Sequence, residues 1–331
     1  MTEGRARARR WLRPVVVVAL VAALALFGRR LDWSVVAGTV RVADQTLLAA
    51  AVAVNLVSLA LRGVQWWVFL RPLGVRSLPL ALRGTVVGSA MNAVVAAHAG
   101  EGARVLLVAR AARVPSAGVL AALALERLLD GVSYLALLTA AAWLLDLPPE
   151  VRRWRVAAAV LLALLVALLL ALAAIAGRDP RPPTRAPDAG RRRLRVHLRF
   201  LRDAFLSLAS LPRLAAAVAL SLAAWALQVA TYHLVARAAD LPLPLAGSVA
   251  ALLTGGLGFL LRATPGNVGV FQVVYALTAR GFGVAEGPAV AAALLLQAAQ
   301  TIPTLVAAGL LAPRLLQPRG SDGERRHDAR S

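Results

Sequence analysis

An all-α bundle that crosses a membrane several times is the fold this sequence predicts, and three observations carry the prediction. Hydrophobic residues fill 60% of the 331 positions. They fall into runs long enough to cross about 30 Å of hydrocarbon, where only helices and closed barrels satisfy the backbone internally. Arginines cluster between alternate runs, as they do in cytoplasmic loops, and with no lysine in the chain all 37 basic residues are arginine. A net charge of +21 in so apolar a chain points to an anionic lipid surface as partner and not to nucleic acid. The absence of cysteine excludes disulfides, thiolate chemistry and cysteine-held metals, and four scattered histidines offer no zinc spacing, so no metal or cofactor is expected.

The elements follow in order. A basic cytoplasmic N-terminus over residues 1–14 precedes an uncleaved first span from Val15 to Phe27, which opens a membrane domain over 15–312. A second span, Leu47 to Leu70, returns to a loop with Arg71, Arg76 and Arg83. The segment from Leu80 to Val108 reads as two apolar half-helices broken at His98, Ala99, Gly100, Glu101 and Gly102. The span from Ser116 to Leu145 carries charges, Asp146 to Arg153 form a short outer loop, and Val156 to Ala176 re-enter. A basic cytoplasmic linker over 177–213 begins with Pro180, Pro182, Pro183 and Pro187. It then places Leu194, Leu198, Leu201, Phe205 and Leu208 on one face and Arg195, Arg199 and Arg202 on another, the pattern of an amphipathic helix on the inner leaflet. Leu214 to Ala239 form a further span, and Leu245 to Arg280 are a second interrupted pair, broken at Thr264, Pro265, Gly266 and Asn267. A last span from Pro288 to Leu311 leads to a polar cytoplasmic tail over 313–331.

The charged span is the most informative. An ionised residue at the centre of a spanning helix costs roughly 2.5 to 3.5 kcal/mol, so Glu126, Arg127 and Asp130 must face protein or water. Their spacing of one and three places them on one side of a helix, with a residual negative charge. Interrupted helices are likewise tolerated only where freed backbone is buried or lines a cavity. The first broken pair enters from inside and the second from outside, so the sequence predicts two inverted repeats with a substrate site at their centre.

The ordered combination of Asn55 through Arg62, Leu73-Gly74, Asn92 with Ala99-Gly100-Glu101 and Arg104, Glu126-Arg127 with Asp130, and Pro265-Gly266-Asn267-Val268-Gly269 resembles the lysylphosphatidylglycerol synthase transmembrane-region family. The resemblance runs from about Leu47 to Leu311 and implies a flippase-like domain of two inverted, re-entrant repeats, associated in its best-understood members with moving aminoacylated phosphatidylglycerol between leaflets. Members often have a proline and an arginine where this chain has Ala96 and His98. They often read Pro-Gly-Gly followed by glutamate where it has Asn267 and Gln272. The synthases also carry a soluble catalytic domain after the membrane region, and with the tail over 313–331 following the last span none is expected here.

A phospholipid needs a hydrophilic path for its headgroup while its acyl chains stay in the bilayer. Arg104, Arg127 and Arg262 are candidates to hold a phosphate, with Glu101, Glu126 and Asp130 orienting them or attracting a cationic headgroup. Asn92, Asn267, Gln272, Gln297 and Gln300 supply neutral donors and acceptors, while Gly100, Pro265, Gly266 and Gly269 shape the helix breaks. Arg62, Arg104 and Arg262 have snorkelling to an interface as their plainer reading, and Asn55 and the glutamines have helix-to-helix hydrogen bonds. No phosphate-cradling GxxxxGK[ST] loop is present, and no constellation activates a leaving group, so the expectation is a lipid translocator and not an enzyme. An assembly subunit for a cell-envelope enzyme is the alternative, and a lipid glycosyl- or aminoacyltransferase a more distant one.

Overall fold

The computed structural model describes residues 33–94, 99–146, 149–176, 210–261, 267 and 269–311. The expected first span, most of the basic linker with its amphipathic helix, Arg262, Pro265, Gly266 and the tail lie outside these residues.

The described chain is an all-α membrane bundle. A short α1 (Trp33–Val42) leads to α2 (Gln45–Leu70), whose first turn is closed by Asp44: its Oδ1 accepts from Thr46 N at 2.7 Å and Leu47 N at 3.1 Å. After a single 3-10 turn (Arg71–Leu73), Gly74 at φ 95° supplies the left-handed residue that starts the return. Two shorter helices follow, α3 (Leu78–Val94) and α4 (Ala99–Ala112), then α5 (Ser116–Leu144), the brief α6 (Pro149–Arg152) and α7 (Arg155–Ala176). The second half comprises α8 (Leu211–Ala238), α9 (Leu245–Leu261), α10 (Val270–Arg280) and α11 (Glu286–Leu311). Among the described residues, three helices are long and apolar enough to cross a membrane by themselves: α2 with its 3-10 turn, α8 and α11. The 29-residue α5 matches them in length and carries the three charges.

Helices α2 and α8 form the centre and run antiparallel. Asp44 N donates to Ala238 O at 2.8 Å at one end, and Ser58 Oγ donates to Ala224 O at 2.9 Å further along. Each is followed by a helical hairpin. In α3–α4, Gly84 lies beside Val108 and Gly88 beside Gly100. In α9–α10, Gly255 lies beside Phe271, and the hydroxyls of Thr254 and Thr278 share a 2.8 Å hydrogen bond. Because α2 and α8 point in opposite directions, the two hairpins enter from opposite ends of the bundle. Counterpart helices start roughly 170 residues apart, which completes the inverted repeat that the sequence predicts.

The breaks differ in detail from expectation. Gly100, Glu101 and Gly102 are already helical, in the first turn of α4. Asn92 Oδ1 caps the new helix by accepting from Gly100 N at 3.0 Å, and Glu101 places its carboxylate in the positive first turn. Gly100 is therefore a contact residue of the hairpin, since a Cβ there would lie 2.0 Å from Gly88 O. In the second hairpin Asn267 (φ 57°) and Gly269 (φ 88°) both take left-handed backbone ahead of α10.

Each repeat has its own apolar core. Trp66, Phe69, Leu125 and Leu129 centre the first, and Tyr232, Phe271, Tyr275 and Leu296 the second. Polar side chains occupy the seam where α2, α4, α5 and α8 meet.

Candidate functional site

The seam holds an ion cluster with more members than the charged span alone supplies. Arg104 from α4 makes a forked pair with Glu126 from α5, Nη1 to Oε1 at 3.2 Å and Nη2 to Oε2 at 2.8 Å. Its guanidinium lies 3.7 Å from the centre of the Trp66 ring. Both partners are buried, and this geometry fits a desolvated Arg–carboxylate pair.

Asp130 organises the second group. Its Oδ2 accepts from Arg62 Nη1 at 3.0 Å and from Arg127 Nη1 at 3.5 Å, while Oδ1 accepts from Ser221 Oγ on α8 at 3.0 Å. Arg62 also lies 5.1 Å over the Trp225 ring. Arg127 Nη2 pairs with Glu101 Oε1 at 3.1 Å. The expected residual negative charge is thus corrected: Arg62, Arg104 and Arg127 balance Glu101, Glu126 and Asp130. Glu126 turns to Arg104, on another helix, and makes no ion pair with adjacent Arg127.

Arg127 differs from its neighbours. Its side chain is 45% exposed, against 21% for Arg62 and 5% for Arg104. It combines a fixed cation with access from outside the protein, and its two ionic contacts are single where that of Arg104 is forked.

The amide residues form a second group nearer α11. Gln228 Nε2 donates to Asn55 Oδ1 and Ser58 Oγ, both at 3.1 Å, and Gln228 Oε1 accepts from Gln300 Nε2 at 2.9 Å. Gln272 donates to Gln297 and accepts from Gly269 N at 2.6 Å. Asn267 is 3% exposed, and neither amide atom has a hydrogen-bond partner among the described residues. Of the residues expected along the path, Asn92 has a capping role, and Arg262 lies outside the described residues.

Arg62, Ser58, Ser221 and Gln228 belong to this seam and were not among the expected path residues. A weak signal existed: Asn55, Ser58 and Arg62 recur at spacings of three and four, and Ser221 and Gln228 at seven, each forming a polar stripe on an apolar helix.

Residues 11–308 match the lysylphosphatidylglycerol synthase TM region. The chain belongs to that family. The match spans both hairpins and the whole seam, so the ion cluster is built on the family's membrane domain. Among curated proteins, glycosyltransferase AglD of Haloferax volcanii is 36% identical over 123 residues, which cover 36% of this chain and 20% of that protein. The chain thus matches only a fifth of its relative's length.

Proposed function

We propose that this protein lets the phosphate-bearing headgroup of an anionic lipid cross the membrane, with Arg127 as the cation that receives the phosphate. One observation carries the reading: the half-exposed guanidinium of Arg127 within a charge-balanced cluster whose Arg104, Glu126 and Asp130 are buried. Charges at such a position are costly and mark ion or substrate paths more often than they stabilise a fold. A guanidinium binds phosphate in the same forked manner as carboxylate, so an incoming phosphodiester can take the place of Glu101. Asp130 stays bound to Arg62 and Ser221 during that exchange, and Arg104 stays bound to Glu126. The inverted hairpins supply the alternation, one opening toward each side, in a multi-pass protein with both termini in the cytoplasm.

The likeness to a glycosyltransferase supports a second reading, in which this domain serves a lipid-modifying enzyme as partner or lipid-binding unit. Leaflet exchange of fluorescent phospholipids in liposomes separates the two. Transport predicts exchange of anionic lipid that Arg127→Gln reduces at least tenfold, while Glu101→Gln removes the competing carboxylate and raises apparent affinity. Folded protein that exchanges no lipid would sink the transport reading and favour the partner role.

A further inference from the structure

The second repeat answers the ionic cluster with amides, position for position. Arg62 is the eighteenth residue of α2, and Gln228 the eighteenth of α8. Glu101 and Gln272 are each third, in α4 and α10. Arg127 and Gln297 are each twelfth in α5 and α11, and Asp130 and Gln300 each fifteenth. The contacts correspond as well. The Glu101–Arg127 ion pair has its counterpart in the Gln272–Gln297 hydrogen bond, and Arg62–Asp130 in Gln228–Gln300. Four charged residues in one repeat are four glutamines in the other.

We infer that the amides form a second, uncharged binding half-site, and that the ligand is a phosphate ester whose headgroup continues into an uncharged, hydroxyl-rich unit such as a polyol or a sugar. The inference rests on the phosphate reading of Arg127 for its ionic end. Three observations place hydroxyls at the other end. A glutamine both donates and accepts, as a hydroxyl does, so a polyol can replace a Gln272–Gln297 contact without moving a charge out of water. Asn267 lies two residues before Gly269, at the start of α10, and is buried with neither amide atom bonded among the described residues. A buried amide in that state calls for a ligand that both donates and accepts. Tyr275, in the place of Arg104, adds a third buried polar atom without a hydrogen-bond partner among the described residues, its hydroxyl.

The same comparison argues against a cationic headgroup. An ammonium needs a carboxylate, and the amide half-site, built from Gln228, Gln272, Gln297 and Gln300, has none to offer. At the counterpart of Glu101 the chain has Gln272, which cannot supply one. The spacing suits one ligand that spans both ends. Ser221, on the ionic group, and Gln228, on the amide group, lie two turns apart on α8, about 10 Å along the helix.

Native mass spectrometry of the full chain in detergent, with equimolar phosphatidylinositol, phosphatidic acid and lysylphosphatidylglycerol, tests this directly. Phosphatidylinositol adducts should exceed those of phosphatidic acid by about fivefold, the worth of one net hydrogen bond. Gln297→Leu should remove that excess and leave phosphatidic acid binding in place. Gln272→Glu, which keeps size and polarity if Gln297→Leu fails to fold, should raise lysylphosphatidylglycerol adducts several-fold. Equal binding of the two anionic lipids by the wild type, or an excess that survives Gln297→Leu, would overturn the inference, as would unchanged lysylphosphatidylglycerol binding in Gln272→Glu. Leaflet exchange is scored apart: its absence with the binding ratio intact defeats transport and leaves the half-site standing.

Discussion

Arg104 and Glu126 share a buried forked pair, and the second repeat shows how the same place is filled without charge: Tyr275 stands at the position of Arg104 and Leu296 at that of Glu126. Removing one partner strands the other, at a cost of about 3–5 kcal/mol, whereas an apolar replacement of both can be near neutral. Glu126→Leu alone should therefore lower the melting temperature sharply, and Arg104→Tyr with Glu126→Leu should restore most of it. Full restoration of both stability and lipid exchange in the double variant would assign the pair to packing and leave Arg127 as the working cation. Gln65 gives the opposite case. It is fully buried, and neither amide atom has a hydrogen-bond partner among the described residues. Gln65→Met keeps its length and removes the unpaired groups, so thermal unfolding should shift upward by the equivalent of about 1–3 kcal/mol. An unchanged or lowered midpoint would mean that a ligand or water engages the amide.

Whole helices explain what the sequence could and could not reveal. Glu126, Arg127 and Asp130 were legible because three charges in an apolar run are costly wherever they lie. Glu101 and Arg104 were legible as candidates as well, but Arg62 and the pairing itself were not, since Arg62 and Arg104 arrive on other helices and nothing in local spacing pairs Arg104 with Glu126, 22 residues away. Of the four glutamines, Gln272, Gln297 and Gln300 were legible as polar residues in apolar helices, whereas Gln228, which joins Gln300 to Asn55 and Ser58, was not. Gly100 shows the third limit. Its sequence context suggests a break, yet its place in the fold is decided by how closely α3 approaches α4, which only the assembled hairpin reveals. A matched pair of substitutions tests that assignment. Gly100→Ala would put a methyl against the backbone carbonyl of Gly88 and should abolish the folded protein or part the hairpin. Gly102→Ala, two residues on, meets nothing within 4 Å and should be neutral or stabilise by up to about 1 kcal/mol. Size-exclusion profiles and melting curves decide it; equal behaviour of the two variants would remove Gly100 from the helix contact.

The whole molecule makes a prediction about sides. Antiparallel packing of α2 and α8 sets the turn after α2 and the turn after α8 at opposite ends of the bundle, and each hairpin returns to the end from which it set out. Arg71, Arg76, Arg83, Arg110 and Arg113 therefore share one end, and Asp240 and Gly283 share the other. The arginine-rich end faces the cytoplasm if the usual charge bias holds. A chain without cysteine is well suited to the test, because any thiol introduced is the sole one. In intact cells, a membrane-impermeant maleimide should label Asp240→Cys and Gly283→Cys, and should reach Arg76→Cys and Arg113→Cys only after the membrane is opened. The result bears on mechanism as well as topology. With the hairpins opening to opposite sides, the proposed transport has the ionic half-site on the first repeat and the amide half-site on the second reached from different leaflets, and a headgroup at the seam engages both ends together. Labelling of all four positions from one side would break the inverted repeat, and with it any account in which the two half-sites are reached from opposite leaflets.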